Sequence, residues 1–386
     1  MSFFIGKNRE ARRAYGFDEV SIVPGNITAN PDEVNIKTEI GSFELEIPFL
    51  ASAMDGVVDV DFAIKMGKLG AVAVLNVDGI QSRYKNPKEI LEQIVKAQPN
   101  VATALIQAVY KKRVKANLIS ERIEQIKSAD VRAVISCIPS NANLVGPIAK
   151  EAGADMFVVQ NTVASAQHLS TDYVQFDYKK FCDQMQIPVV VGNVVSFRTA
   201  LELMEMGCSG LLVGVGPGAA CTSRGVLGIG VPQVTATIDC AAARDEYFKK
   251  TGKYVSVITD GGMSCGGDIC KAFASGADAV MIGSTFAKAK EAPGGGFHWG
   301  MATPHQNLPR GTRIKVGVIG SLQEILFGPA KLDDGSQNLV GALRTSMASV
   351  GALNIKQMQM AELIIAPDIK HEGKIFQKAQ KIGMYK

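Results

Sequence analysis

The sequence predicts a (β/α)8 TIM barrel, and three observations predict it. Eight short β-branched runs recur along the 386 residues. Each run is nearly continuously apolar, the pattern of parallel strands buried on both faces. Amphipathic segments of helical period separate them, and several end in Gly, where a left-handed C-cap leads into the next strand.

The candidate strands are IPFLAS (47–52), AVAVLN (71–76), VRAVISC (131–137) and DMFVVQ (155–160), then IPVVVGN (187–193), SGLLVG (209–214), YVSVITDGG (254–262) and DAVMIGS (278–284). The helical spacers include VDFAIKMGKLG (60–70), NLVGPIAKEAG (143–153), FRTALELMEMG (197–207) and GDICKAFASG (267–276). Strands alternating with crossover helices fit the barrel. An open doubly wound sheet is the alternative, but no GxGxxG follows the first strand.

The connection between the second and third strands is long. Residues 86–128 read as helical, which makes a helical insertion of about 80–130. Within it VATALIQ (101–107) also fits a strand, which would change the strand count by one. After the eighth strand, EAPGGGFHWGMATPHQNLPRG (291–311) reads as a mobile loop, with an active-site flap region at about 291–330. The reading is one catalytic domain over 1–386.

The composition, 47% hydrophobic and 20% charged, is that of a soluble globular protein. The net charge is +4. Its densest basic cluster, YKKRVK (110–115), reads as a solvated helix face rather than a nucleic-acid patch. The seven cysteines are dispersed, with no CxxC pair, so free thiols in a reducing compartment are expected rather than disulfides or zinc. No apolar run has the length of a signal peptide or a membrane span. A cytoplasmic enzyme is expected, with small phosphorylated molecules as partners and neither nucleic acid nor membrane.

In such a barrel the loops after each strand form the active face. There lie SAMDG (52–56), GNVVS (192–196), GVGPGAACTSRG (214–225), DGGMSCGGD (260–268) and GS (283–284). The DGG and GS loops offer unhindered backbone N–H groups before helices, a setting that suits phosphate at the usual barrel location. The bland alternative is that these glycines only make tight turns. A lone cysteine is usually a buried small hydrophobe, and six of the seven are read that way. Cys221 differs: it follows a strand end in a glycine-rich loop, flanked by Thr222, Ser223 and Arg224. Loop amides and a nearby cation would favour its thiolate.

These motifs resemble those of the IMP dehydrogenase/GMP reductase enzymes. FDEVSIVPG (17–25), IPFLASAMD (47–55), GNVVS, GVGPGAACTSRGVLGIGVPQ (214–233), DGGMSCGGDICKAFASGADAVMIGS (260–284), KEAPGG (290–295) and GMA (300–302) follow in family order. The resemblance implies a barrel in which the Cys221 thiolate attacks C2 of a purine nucleotide. It implies Asp260 on the ribose, and Gly261, Gly262, Gly283 and Ser284 around the phosphate. Ser52, Met54, Gly300 and Met301 would lie beside the nucleotide. Asn193, Gly214 and Gln160 would face the nicotinamide cofactor. Backbone carbonyls of Gly216, Gly218 and Cys221 are implied potassium ligands, and Ser223, with Thr222 beside it, would relay protons with Glu291. A homotetramer or homo-octamer is implied as well.

The sequence departs from the family pattern in places. Ser223 stands where Thr is usual, Ala219 where Ser is common, and QNT (160–162) where an Asp usually serves the cofactor ribose. His298 and Trp299 replace the tyrosine common before GM. The paired sensor (CBS) domains often inserted after the second strand are absent.

Both family reactions pass through one purine–cysteine adduct. The dehydrogenase must then activate water, for which its flap supplies an Arg-Tyr pair; the reductase need not. Residues 301–329 hold Arg310, Arg313 and His305 but no tyrosine, and the one Arg-Tyr in the chain is Arg83-Tyr84. The expectation is therefore GMP reductase with NADPH, and IMP dehydrogenase with NAD is the alternative. A non-catalytic purine-nucleotide binder and a flavin-dependent barrel oxidoreductase are the other classes.

Overall fold

In the computed structural model the described residues are 2–169, 171, 175–300, 313–367 and 373–383. Eight parallel strands close into a barrel in chain order. They are β1 (Phe49–Ala51), β2 (Val72–Asn76), β3 (Val134–Cys137), β4 (Met156–Gln160), β5 (Val189–Val194), β6 (Gly210–Val213), β7 (Ser256–Asp260) and β8 (Ala279–Ile282). Closure is made by β8 on β1, with Val280, Met281 and Ile282 opposite Phe49, Leu50 and Ala51.

The continuous apolar runs are explained by two separate buried clusters. Leu50, Val74, Val158, Val190, Leu212, Ile258 and Met281 pack inside the barrel. Their neighbours along each strand, such as Phe49, Leu75, Phe157, Val191, Val213 and Val280, pack outward against the helices. Both faces of each strand are thus dry, as parallel sheets require. A hairpin of Thr38–Ile40 and Phe43–Leu45 contributes Ile40, Phe43 and Leu45 to the inner cluster. Ser256 Oγ, at the start of β7, donates to the Glu39 carbonyl at 2.7 Å. The hairpin therefore plugs the end of the barrel opposite the strands' C-termini.

The helix caps follow the expected pattern: Gly70 and Gly207 have φ of 84° and 87° just before β2 and β6. The β2–β3 connection contains Ile80–Arg83, Pro87–Lys96, Pro99–Tyr110 and Ala116–Lys127. VATALIQ lies inside the third of these, so the strand count stands at eight. Ala116–Lys127 packs on the neighbouring outer helices Val60–Lys68 and Pro139–Glu151, so the true insertion is the stretch before it. That stretch has its own core of Ile80, Leu91, Ile94, Ile106 and Val109, which Trp299 completes. The basic cluster does not ride on a helix face. The helix ends at Tyr110, and Lys111, Lys112 and Arg113 lie exposed on the turn beyond it.

Most of the expected 291–311 loop, from residue 301 on, lies outside the described residues, and the described segments on either side of 301–312 contain regular elements. Phe297–His298 pairs with Ile314–Lys315, and Leu322–Phe327 and Leu339–Ser349 are helices. Met301, His305 and Arg310 lie outside the described residues. No helix among the described residues is long and apolar enough to cross a membrane.

Candidate active site

Because the strands are parallel, their C-terminal ends open on one face, and a cavity of about 740 Å3 lies there. Of the residues expected at the site, Ser52, Met54, Gln160, Asn193, Gly214, Gly216, Gly218, Cys221, Thr222, Asp260, Gly261, Gly262, Gly283, Ser284 and Gly300 all line it. The volume is in the range of small-molecule and cofactor pockets.

At its centre three strand ends meet. Asp260 Oδ2 accepts from Asn193 Nδ2 at 2.7 Å and from Gln160 Nε2 at 3.1 Å. Gln160 Nε2 also reaches Asn193 Oδ1 at 3.2 Å. Burial pushes the Asp260 carboxyl up to about 6, and the Asn193 donor offsets part of that rise. Its other oxygen has no donor among the described residues, which leaves an acceptor for a ligand hydroxyl. Gln160 Oε1 is buried and unpaired.

The backbone at this point is tightly packed. Gly214 has φ of 146°, and a Cβ there would fall 2.5 Å from the Asp260 carbonyl oxygen. Gln233 Nε2 ties β6 to β7 by donating to the Val213 carbonyl at 2.6 Å and the Asp260 carbonyl at 3.2 Å. Sequence reasoning missed Gln233; its only signal was a polar residue at the start of a helix whose buried face packs on the barrel.

Cys221 is the one exposed cysteine; the other six are buried or half-buried. Its amide donates to the Gly218 carbonyl at 2.9 Å, which folds the loop back so that the thiol faces the cavity. The thiol lies 3.4 Å from Ser223 Oγ, which is buried beneath it and does not itself line the cavity. Arg224, the cation near Cys221 in sequence, is bound within the loop. Its Nη2 donates to the Val231 carbonyl at 2.9 Å, and its stem fills the space a Cβ on Gly216 or Gly230 would need.

Glu291 is likewise held elsewhere. Its Oε2 accepts from the Leu322 amide at 2.8 Å, at the first turn of Leu322–Phe327, and it does not line the cavity. A carboxylate is favoured at unpaired helix N–H groups. Arg313 donates to the carbonyls of Ile94, Val95 (2.8 Å) and Ala97 (2.9 Å) and stacks on Phe297. Arg83 and Tyr84 are bonded within the insertion, to the carbonyls of Asp78 at 2.8 Å and Val109 at 3.0 Å.

At the ends of the last two strands, Gly262 has φ of 83° and packs on Pro217 of the cysteine loop, and a Cβ on Gly283 would come within 2.4 Å of Met54 Cε. Ser284 Oγ lies 3.1 Å from His298 Nε2. Burial pushes the His298 imidazole down to about 4, so the ring is neutral. Behind this strand is a chain that the sequence did not reveal. Trp299 Nε1 donates to Tyr110 Oη at 2.9 Å, and Tyr110 Oη donates to Asp55. Asp55 also accepts from the Ile80 amide at 3.1 Å, and burial raises its carboxyl to about 6. The insertion thereby holds both the SAMDG loop and the FHWG strand. The wall beyond Gln160, including Asn161, Thr162, Ser165, His168 and Phe176, also went unassigned apart from the QNT run.

A family model described as the IMP dehydrogenase / GMP reductase domain matches residues 14–370. The chain belongs to this family. It is 38% identical over 370 residues to a protein of Mycolicibacterium smegmatis named as an uncharacterized oxidoreductase, covering 94% of this chain and 99% of that one. It is 31% identical over 306 residues to the inosine-5'-monophosphate dehydrogenase of Borreliella burgdorferi, covering 74% and 72%. Its structure is similar to that of an IMP dehydrogenase/GMP reductase-like protein from Corynebacterium glutamicum, with a TM-score of 0.89, 34% identity and coverage of 94% and 97%. The chain is thus an oxidoreductase of a purine-nucleotide family, and its β2–β3 insertion is a short helical one without CBS domains.

Proposed function

We propose that this chain is a GMP reductase that uses NADPH to convert GMP to IMP and ammonia. The observation that carries the reading is the exposed thiol of Cys221 in a cavity that the Asp260 carboxylate also lines. The direction of reaction rests on what would activate water. Residues 301–329 contain no tyrosine, and Arg313, Arg83 and Tyr84 are bonded to backbone carbonyls away from the cavity. Lacking a positioned base typically costs a hydrolytic step about 10²–10⁴-fold.

In this reading Asp260 accepts from the ribose, and Gly262, Gly283 and Ser284 hold the phosphate. The Cys221 sulfur forms a bond to C2 of the purine. The C2–N bond then breaks, and the amine leaves as ammonia with the proton that the thiol gave up. Ser223 Oγ, within reach of the sulfur, passes that proton. NADPH, when bound, supplies the hydride that C2 receives. Breaking the C2–S bond returns the thiolate and releases IMP.

The residues fit a nicotinamide cofactor. Gln160 Oε1, buried without a donor, matches a carboxamide or ribose donor. Asn161, Thr162, Ser165 and His168 line the wall where the rest of the cofactor would lie. Potassium would be held by the carbonyls of Gly216, Gly218 and Cys221; the one on Gly218 takes the Cys221 amide and keeps a second lone pair. A cytoplasmic homotetramer or homo-octamer belongs to the same proposal.

The test mixes purified protein with GMP and NADPH and follows NADPH oxidation and IMP by chromatography. NADPH consumed with equal IMP and ammonium is the expected outcome. Reduction of NAD with IMP, giving XMP, replaces the reading with dehydrogenase. Tight GMP binding with no turnover replaces it with a binding protein.

A further inference from the structure

The short strand Phe297–His298 brings an imidazole against the serine that follows β8. His298 is 1% exposed, and its Nε2 lies 3.1 Å from Ser284 Oγ. Its Nδ1 is buried and has no hydrogen-bond partner among the described residues. We propose that His298 is a positioning residue: it keeps its proton on Nε2, donates it to Ser284 Oγ, and so turns the serine's own hydrogen toward the phosphate of the bound nucleotide. This rests on the purine-nucleotide reading of the cavity.

The position of one proton decides the matter. Neutral imidazole has one N–H and one bare nitrogen, and either tautomer can bond to a hydroxyl. With the proton on Nδ1, a buried N–H would have no acceptor. Orphaned buried N–H groups are rarer than under-satisfied buried acceptors. With the proton on Nε2, the bare nitrogen is the buried one, and the histidine is the donor to serine.

The consequence lies at Ser284. A hydroxyl that gives its hydrogen to histidine offers only lone pairs to the cavity, which repel an anion. A hydroxyl that accepts from histidine keeps its hydrogen for the ligand. A phosphate oxygen then receives a charge-assisted bond from a donor already aimed at it. The ring is held in place to do this. His298 pairs with Ile314, its Cα stands 3.0 Å from where a Cβ on Gly56 would be, and Trp299 is fastened to Tyr110. Burial alone lowers the imidazole's proton affinity, so the ring stays neutral and the tautomer matters.

The test has two arms. Solid-state nitrogen-15 spectra of histidine-labelled protein report the tautomer; comparison with His298→Gln assigns the signal among the four histidines. The expected state is Nε2–H. In the second arm GMP and guanosine binding are compared in parent, His298→Phe and His298→Gln. Phe keeps a ring and loses the donor, so GMP affinity falls about tenfold or more while guanosine affinity is unchanged. Gln restores an N–H near the Nε2 position and brings GMP back to within about threefold of the parent. An Nδ1–H tautomer in a parent that binds GMP overturns this proposal alone. Equal loss of GMP and guanosine in the Phe variant overturns it as well. A parent that does not bind GMP removes the nucleotide reading, and this proposal with it.

Discussion

Replacing Asp260 by Asn separates two effects of one carboxylate. Burial raises its carboxyl from 3.8 to about 6. The folded protein therefore holds that proton more tightly than the unfolded chain does. Unfolding free energy falls as pH rises through the window from 3.8 to about 6, and the cost is complete above it. The shift corresponds to roughly 3 kcal/mol, at about 1.4 kcal/mol per pH unit. Asn removes the charge and keeps the shape. Its carbonyl oxygen can take the donors from Gln160 and Asn193, and its NH2 falls where Asp260 has no protein donor. The variant is therefore expected to be more stable than the parent at about pH 8, by up to about 3 kcal/mol. At roughly 2.1 cal/mol/K per residue over the 386-residue chain, that is about 4 °C in Tm.

The same change weakens the proposed ribose contact. Losing a hydrogen bond to a charged acceptor costs about 1.5–3 kcal/mol, or roughly 10–150-fold in GMP affinity. The assay is a ligand-free melting series from about pH 8 to about pH 4.5, paired with calorimetric GMP titration. The stability gain should shrink as the parent's carboxyl takes up its proton. Asp55, also near 6, titrates in both proteins and cancels in the difference. A variant no more stable than the parent at the alkaline end, or a gain that ignores pH, refutes the reasoning.

Tyr110→Phe leaves Trp299 Nε1 without its acceptor and Asp55 without one donor. It is expected to cost about 1–3 kcal/mol in denaturant unfolding, and to raise KM for GMP more than it lowers kcat. Cys221→Ala is expected to abolish turnover and leave GMP affinity within about threefold, since the thiol makes one bond in the complex and none of the phosphate or ribose contacts. Mass spectrometry of acid-quenched parent should find a purine adduct that the variant lacks; an adduct on any other residue refutes the role of Cys221.

The barrel was legible because its signal is local. A strand dry on both faces must be apolar at consecutive positions, and eight such runs stand in the sequence. VATALIQ was ambiguous because a seven-residue run with five apolar positions cannot distinguish a buried strand from a buried helix face; Pro99 at the helix start and packing against Trp299 decide for helix. The plugging hairpin at 38–45 was not legible, since its role depends on which open end it meets. The site divides in the same way. The barrel reading placed Gln160, Asn193 and Asp260 at strand ends, and the family resemblance gave them their expected roles. Arg224 was singled out by its place beside Cys221 and Glu291 by the family resemblance; in the structure Arg224 donates to a loop carbonyl and Glu291 accepts from a helix amide. Tyr110 and Trp299 meet across 189 residues, and no local pattern announces that.

The charge of the cavity depends on the amide at position 160. A carboxylate at position 160 would stand against Asp260 Oδ2, where the Gln160 nitrogen now lies at 3.1 Å. Two carboxylates that close cannot both ionise, so one would be held protonated and Asp260 would lose strength as an acceptor. The amide turns that repulsion into a donor, and Asp260 remains anionic at neutral pH despite its burial. Among the described residues lining the cavity, Asp260 is then the sole carboxylate, and no lysine or arginine is present. A phosphate there must be held by neutral donors: loop amides and hydroxyls such as Ser284. Neutral donors act at hydrogen-bond range and only when aimed, whereas a cation attracts from any direction. In the proposed reading that requirement would fall on the amides of Gly262 and Gly283 and on the Ser284 hydroxyl, which lies 3.1 Å from the buried His298 imidazole.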